Sequence, residues 1–167
     1  MFFRTIDRGD ATDSREVGRV HSTIVRRFGA SVVTEMNYVT DTHPLVFYTI
    51  GQTRKLGTHA LRAFTRAEKR QATVYIPTVC FFELLLLLES NKLHSPLSFP
   101  EWKTRVEETG SFIIEPLIWE DIEQARLLPT LTDPFDRLIA GVANRIGCSL
   151  ITRDDNISRS RQVATVW

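Results

Sequence analysis

The sequence predicts an α/β fold in which a short, mostly parallel sheet is covered by helices on both faces. Two patterns lead there. Short apolar or β-branched runs (38–40, 72–76, 112–114 and 148–152) alternate with longer segments of helical character, which is the alternation that strand–helix–strand crossovers produce. The runs are also followed by helix-start chemistry, a proline or a capping side chain, so the chain passes from strand to helix over short connections.

Taken in order, residues 1–35 mix charges (Arg4, Asp7, Arg8, Asp10, Asp13, Arg15, Glu16, Arg19) with few apolar positions. They read as a disordered or weakly helical extension. Val20, Ile24, Val25 and Phe28 carry the weak helix, and Met36, just ahead of the first strand, reads as an alternative translation start. Tyr38-Val39-Thr40 is a strand ending at Asp41, and Pro44 opens a helix that runs to Gly51. A second helix spans about Gly57 to Arg70, with Leu61 and Phe64 inward. Ala72–Ile76 is a buried strand, and Pro77-Thr78 leads into a helix from Val79 to Ser90. Ser98-Phe99-Pro100-Glu101 carries a capping-box signal for a helix that stops at Gly110. Phe112-Ile113-Ile114 is the third strand, and Trp119–Leu128 is an amphipathic helix with Ile122, Ala125 and Leu128 on one stripe. Asp133 caps a helix that begins at Pro134 and runs to about Ile146. Cys148–Thr152 is the next strand, ending at Arg153-Asp154-Asp155, and Val163–Trp167 offers a last short strand at the sheet edge.

Composition narrows the partners. The chain has 167 residues, of which 21 are Lys or Arg and 20 Asp or Glu, so no overall field draws in nucleic acid; a polyanion must be met by a local patch or through cations. Cys80 and Cys148 lie in apolar surroundings, fit reduced thiols of a cytoplasmic protein, and are too few for a structural zinc site. The apolar run 79–88 is too short to span a bilayer and is broken by Glu83. Met1-Phe2-Phe3-Arg4 lacks the apolar core of a secretory signal.

The candidate site is a set of acids. In an open α/β sheet ligands bind beyond the carboxyl ends of the strands, where Asp41 and Asp154 stand; a turn or cap aspartate is the plain alternative for each. Glu83 sits inside Phe81-Phe82-Glu83-Leu84-Leu85-Leu86-Leu87-Leu88, where a buried carboxylate must be paired, neutralised or bound to a cation. Asp136 falls at the third helical position after its cap, where it either completes a capping box or faces the other acids. Asp41, Glu83, Asp136 and Asp154, with Asp133 close by, come from separate segments and repel one another unless cations neutralise them. Oxygen-only ligands select Mg²⁺ or Mn²⁺, and such a cage serves two-metal phosphoryl transfer. His43 beside Asp41 either assists a leaving group or simply starts a helix. Arg137 and Arg153 either hold phosphate or salt-bridge the acids.

The combination of Tyr38-Val39-Thr40-Asp41-Thr42-His43, Glu83 in an apolar helix, Asp133-Pro134-Phe135-Asp136-Arg137-Leu138-Ile139-Ala140-Gly141-Val142-Ala143 and Leu150-Ile151-Thr152-Arg153-Asp154 resembles the PIN-domain ribonucleases, particularly the VapC-like toxins of bacterial toxin–antitoxin pairs. The resemblance covers about residues 37–167 and marks 36–167 as a nuclease domain. It implies a three-layer α/β/α sandwich, Mg²⁺ or Mn²⁺ dependence, endonucleolytic cleavage of RNA and a cognate antitoxin. By matching position, Asp41, Glu83, Asp136 and Asp154 are its catalytic, metal-holding acids, and Thr152 is a supporting hydroxyl. In the branch with this motif a histidine often precedes it, whereas Leu131-Thr132 stand here, and residues 1–35 have no counterpart. The leucine run 84–88 is either core or a homodimer face. Two other readings compete. One is a binding or regulatory protein of the same fold, its acids capping helices and pairing with Arg137 and Arg153. The other is a small phosphate-ester hydrolase, which the lack of a Gly-rich phosphate loop disfavours.

Overall fold

The computed structural model of the chain describes residues 36–167; the expectations for residues 1–35 lie outside the described residues. Among the described residues the strands β1 (Met36–Thr40), β2 (Ala72–Pro77), β3 (Phe112–Glu115), β4 (Ser149–Ile151) and β5 (Thr165–Val166) form one parallel sheet in the order β3-β2-β1-β4-β5. Helices α1 (Thr42–Thr49), α2 (Thr58–Glu68), α3 (Thr78–Glu89), α4 (Phe99–Glu107), α5 (Trp119–Arg126), α6 (Pro134–Ile146) and α7 (Asp155–Ser160) connect them in an α/β/α arrangement. The chain builds outward from β1 to β3, then returns to the far side of β1 for β4 and β5. The strand order therefore reverses at β1, and a crevice is expected where the carboxyl ends of β1 and β4 part.

The inner strands are apolar on both faces, as helix-covered parallel strands must be: Val39, Val74, Ile76, Leu150 and Ile151 are fully buried. Thr40 pairs in register with Ile151, and one residue on the Asp41 N–H donates to the Ile151 carbonyl at 3.0 Å. That bond carries the ladder past the last strand residue and fixes where Asp41 stands.

Three details of the helices depart from expectation. In α2 the inward stripe is Ala60, Ala63, Phe64 and Ala67, with Leu61 only half-buried; the small alanines bring the helix close to the sheet and leave Leu61 at the margin. In α5 the inward positions are Asp121 and Ala125, followed by Leu128, while Ile122 is 43% exposed. Asp121 is fully buried because it is fully partnered: it accepts from the Ile118 N–H (2.9 Å) and from Arg145 Nε (2.5 Å), whose Nη2 also reaches Glu115 at 2.6 Å. Gly141 of α6 permits this approach, since a Cβ there would lie 2.6 Å from the Asp121 carbonyl oxygen. In α3 only Val79, Cys80 and Leu84 are buried, and Phe82 is 55% exposed. The apolar run is thus an exposed face as well as core, and Glu83 is half-buried rather than enclosed. Among the described residues no helix is long and apolar enough to cross a membrane.

Candidate metal centre and active site

The crevice at the strand reversal is an acid-lined cavity. It measures about 390 Å³ and is lined by Asp41, Glu83, Asp133, Asp136, Asp154 and Asp155, with His43 and Arg153. Four elements deliver the acids predicted from sequence: the end of β1, α3, the first turn of α6 and the end of β4. Asp133 and Asp136 also border an adjoining open groove of about 540 Å³ that reaches Thr132, Asn156 and Gln162.

Asp41 is buried and held at both oxygens. Oδ1 accepts from the Thr42 N–H at 2.6 Å, which makes Asp41 the N-cap of α1, and Oδ2 accepts from Thr152 Oγ1 at 2.8 Å. The two readings of this residue, helix cap and cavity acid, are therefore both realised. Helix α1 accordingly starts at Thr42, ahead of the expected Pro44. Burial raises the Asp41 carboxyl above its ordinary range, against the lowering effect of Thr152 and His43. Thr152 is itself buried, and its hydroxyl also accepts from the Asp154 N–H at 3.0 Å. One side chain thus ties the ends of β1 and β4 together.

Asp154 caps α7, with Oδ1 accepting from the N–H groups of Asn156 (2.7 Å) and Ile157 (3.0 Å). Asp133 caps α6 in the same way, from Phe135 (2.8 Å) and Asp136 (3.1 Å). Asp155 is exposed and paired with Arg159 at 2.9 Å.

Among the described residues Asp136 and Glu83 cap no helix, and Asp136 makes no capping-box bond back to Asp133. Its carboxyl is pushed up to about 7, first by burial and then by the charges of Asp41, Asp133, Asp154 and Glu83. Glu83 Oε2 is buried with no hydrogen-bond partner among the described residues.

The arginines go elsewhere. Arg137 donates from Nε to the Ala125 carbonyl at 2.7 Å and from Nη2 to the Arg126 carbonyl at 3.4 Å. It pins α6 to the end of α5, where the last carbonyls of the helix suit its fork, and it is not among the residues that line the cavity. Arg153 does line the cavity, yet its guanidinium lies 5.1 Å from the centroid of the Phe47 ring. Among the described residues neither arginine forms an ion pair with the acids.

These residues fit a hard dication. The acids offer only oxygens, one buried carboxylate oxygen lacks a partner among the described residues, and burial together with like charges raises one carboxyl. Among the described residues the side chains do not stand as a preformed cage of three or more ligands. The cluster has the composition of a cation site without closed coordination geometry. Another cavity, of about 330 Å³, lies between Tyr48, Glu68, Arg105 and Phe112 and holds none of these acids.

A single parallel sheet reversing at its central strand, with acids from four elements lining the crevice at that point, defines an α/β protein with an acid-lined carboxyl edge. The chain belongs to the PIN domain family, whose family model matches residues 38–162. Among solved structures it is similar to VapBC2 from Rickettsia felis bound to a DNA fragment from their promoter (15% identity, TM-score 0.57, covering 78% of this chain and 98% of that one). It is also similar to a toxin–antitoxin complex from Klebsiella pneumoniae (17% identity, TM-score 0.51, covering 78% and 96%). At such identities the likeness is one of fold. Comparison with curated proteins finds no match.

Proposed function

We propose that the protein is a Mg²⁺- or Mn²⁺-dependent endoribonuclease, the toxin of a toxin–antitoxin pair, working in the cytoplasm. The observation that carries the reading is the meeting of Asp41, Glu83, Asp136 and Asp154 in one cavity where the strand order reverses, with Glu83 Oε2 unpartnered and the Asp136 carboxyl raised to about 7. Those four residues would hold the ion or ions, with Asp133 and Thr152 in support. Divalent ions, when bound, supply charge neutralisation and activation of water for in-line displacement at a phosphodiester. The chain itself fixes Asp41 through Thr42 and Thr152, sets Asp154 through the start of α7, and leaves Asp136 and Glu83 free to turn toward a cation. Arg153 presents a positive charge at the rim. A binding protein whose acids pair with Arg137 and Arg153 is less well supported, since among the described residues neither arginine pairs with those acids.

An antitoxin partner is supported by the toxin–antitoxin complexes that share the fold. Exposed Phe82, Leu86, Trp119 and Leu127 supply apolar surface for that partner or for a second copy of the chain. The direct test is incubation with structured cellular RNA. Internal cuts are expected with Mg²⁺ or Mn²⁺ and none with EDTA, nor with Asp136→Asn, which keeps the fold. RNA left intact by the folded wild type with either ion would overturn the reading.

A further inference from the structure

We propose that Lys55 and Arg153, both placed by the Phe47 ring, form an anchor for backbone phosphates of the RNA strand beside the acid cavity, an inference that rests on the nuclease reading above. Arg153 follows Thr152 directly and rims the cavity, and its guanidinium stands 5.1 Å from the centroid of the Phe47 ring. Lys55, at the end of the short 3₁₀ turn Thr53–Lys55, places Nζ 5.1 Å from the centroid of the same ring. The ring is a fixed platform: Phe47 is 7% exposed and belongs to the cluster of Val46, Leu84 and Trp102.

Two exposed cations are thus gathered on one buried aromatic, and among the described residues neither has a carboxylate within ion-pair distance. That is unexpected for Arg153, which shares its cavity with several acids. Asp155 is already committed to Arg159, and the cation–π contact holds the guanidinium off the others. Two positive charges placed by one ring, neither in an ion pair among the described residues, are open to an anion. A phosphodiester is the anion that the proposed chemistry brings to the cavity, and a planar guanidinium beside a compact ammonium suits its oxygens. With a formal net charge of only +1, the chain has no broad field to attract a polyanion, so a local anchor must do it. The acids then take the linkage to be cut, while Lys55 and Arg153 hold neighbouring phosphates and set the strand's register.

The test reads binding apart from cleavage. The full chain is titrated with a fluorescent single-stranded RNA oligonucleotide in buffer with Ca²⁺ in place of Mg²⁺, across a series of KCl concentrations. Lys55→Ala and Arg153→Ala are each expected to weaken binding and to make the slope of log affinity against log salt shallower by about 0.7, the share of one phosphate contact on a single strand. Phe47→Leu keeps both charges and most of the packed volume; it is expected to lose a comparable share, because the ring places the cations. Lys103→Ala, whose ammonium is paired with Glu107, keeps the wild-type slope. The anchor is overturned if wild type binds no RNA, if the Lys55 and Arg153 variants keep its slope, if Phe47→Leu binds like wild type, or if Lys103→Ala loses as much. RNA held with the expected slopes but never cut under Mg²⁺ or Mn²⁺ upholds the anchor and refutes the nuclease reading instead.

Discussion

Asp136→Asn separates a repelling cluster of acids from a set of unrelated helix caps without any substrate. The wild-type carboxyl is pushed up from its ordinary value of 3.8 to about 7 by burial and by four neighbouring carboxylates. The folded chain therefore keeps this proton through a pH range in which the unfolded chain has released it, and stability falls as pH rises from about 4 to 7. Raised from 3.8 to about 7, the group corresponds to ~4 kcal/mol at full weight. Asp136 is only half-buried, so solvent screening cuts this to about 2 kcal/mol. Asparagine cannot ionise, but it gives up the favourable placement of an anion in the first turn of α6, roughly 0.5 kcal/mol. In EDTA the variant should match wild type near pH 4 and exceed it by about 1.5 kcal/mol near pH 7. For a domain of this size that is a rise in Tm of roughly 3–6 °C. Urea unfolding at half-unit pH steps reads the difference directly. Parallel curves for the two proteins from pH 4 to 7, or a less stable variant at pH 7, would show that Asp136 does not share a field with Asp41, Glu83 and Asp154.

Two further substitutions test the scaffold around that site. Thr152→Val keeps the shape but removes the hydroxyl that donates to Asp41 Oδ2 and accepts from the Asp154 N–H; a loss of about 1–3 kcal/mol is expected in urea unfolding at pH 7, and a variant as stable as wild type would refute the bridging role. Gly141→Ala in an ordinary helix would stabilise by up to about 1 kcal/mol. Here the new methyl meets the Asp121 carbonyl oxygen at 2.6 Å and the Ala125 nitrogen at 3.0 Å, so overpacking should win and the variant lose about 1–3 kcal/mol.

Much of the sheet was legible because its signals are local. β1, β2, β3 and β4 lie at the β-branched runs 38–40, 72–76, 112–114 and 148–152, each ending in a cap or a turn, and Asp133 with Pro134 starts α6 as the pair predicts. The meeting of Asp41, Glu83, Asp136 and Asp154 in one cavity followed from placing polar residues at strand ends and asking what a lone acid in an apolar helix faces. The misplaced details depend on packing between distant segments. Asp121 turns inward only because Arg145 and Glu115 receive it, and periodicity alone puts Ile122 on that face. Arg137 looked like a neighbour of the acids because it follows Asp136, yet consecutive residues on a helix point about 100° apart. Lys55 carried no motif: what singles it out is a ring eight residues earlier that also receives Arg153.

Three of the cavity's acids, Asp41, Asp133 and Asp154, are also the residues that start α1, α6 and α7. Each backbone bond that fixes the helix start also fixes a carboxylate, so the charged site forms in the same step as the fold and cannot drift from it. A neutral or aliphatic replacement at those positions removes a helix cap together with a charge, and loss of activity there would be mixed with loss of structure. Asp136 and Glu83 cap nothing. On the proposed nuclease reading, substitution at these two positions is expected to give a folded, inactive form, one suited to capturing the substrate or partner proposed above.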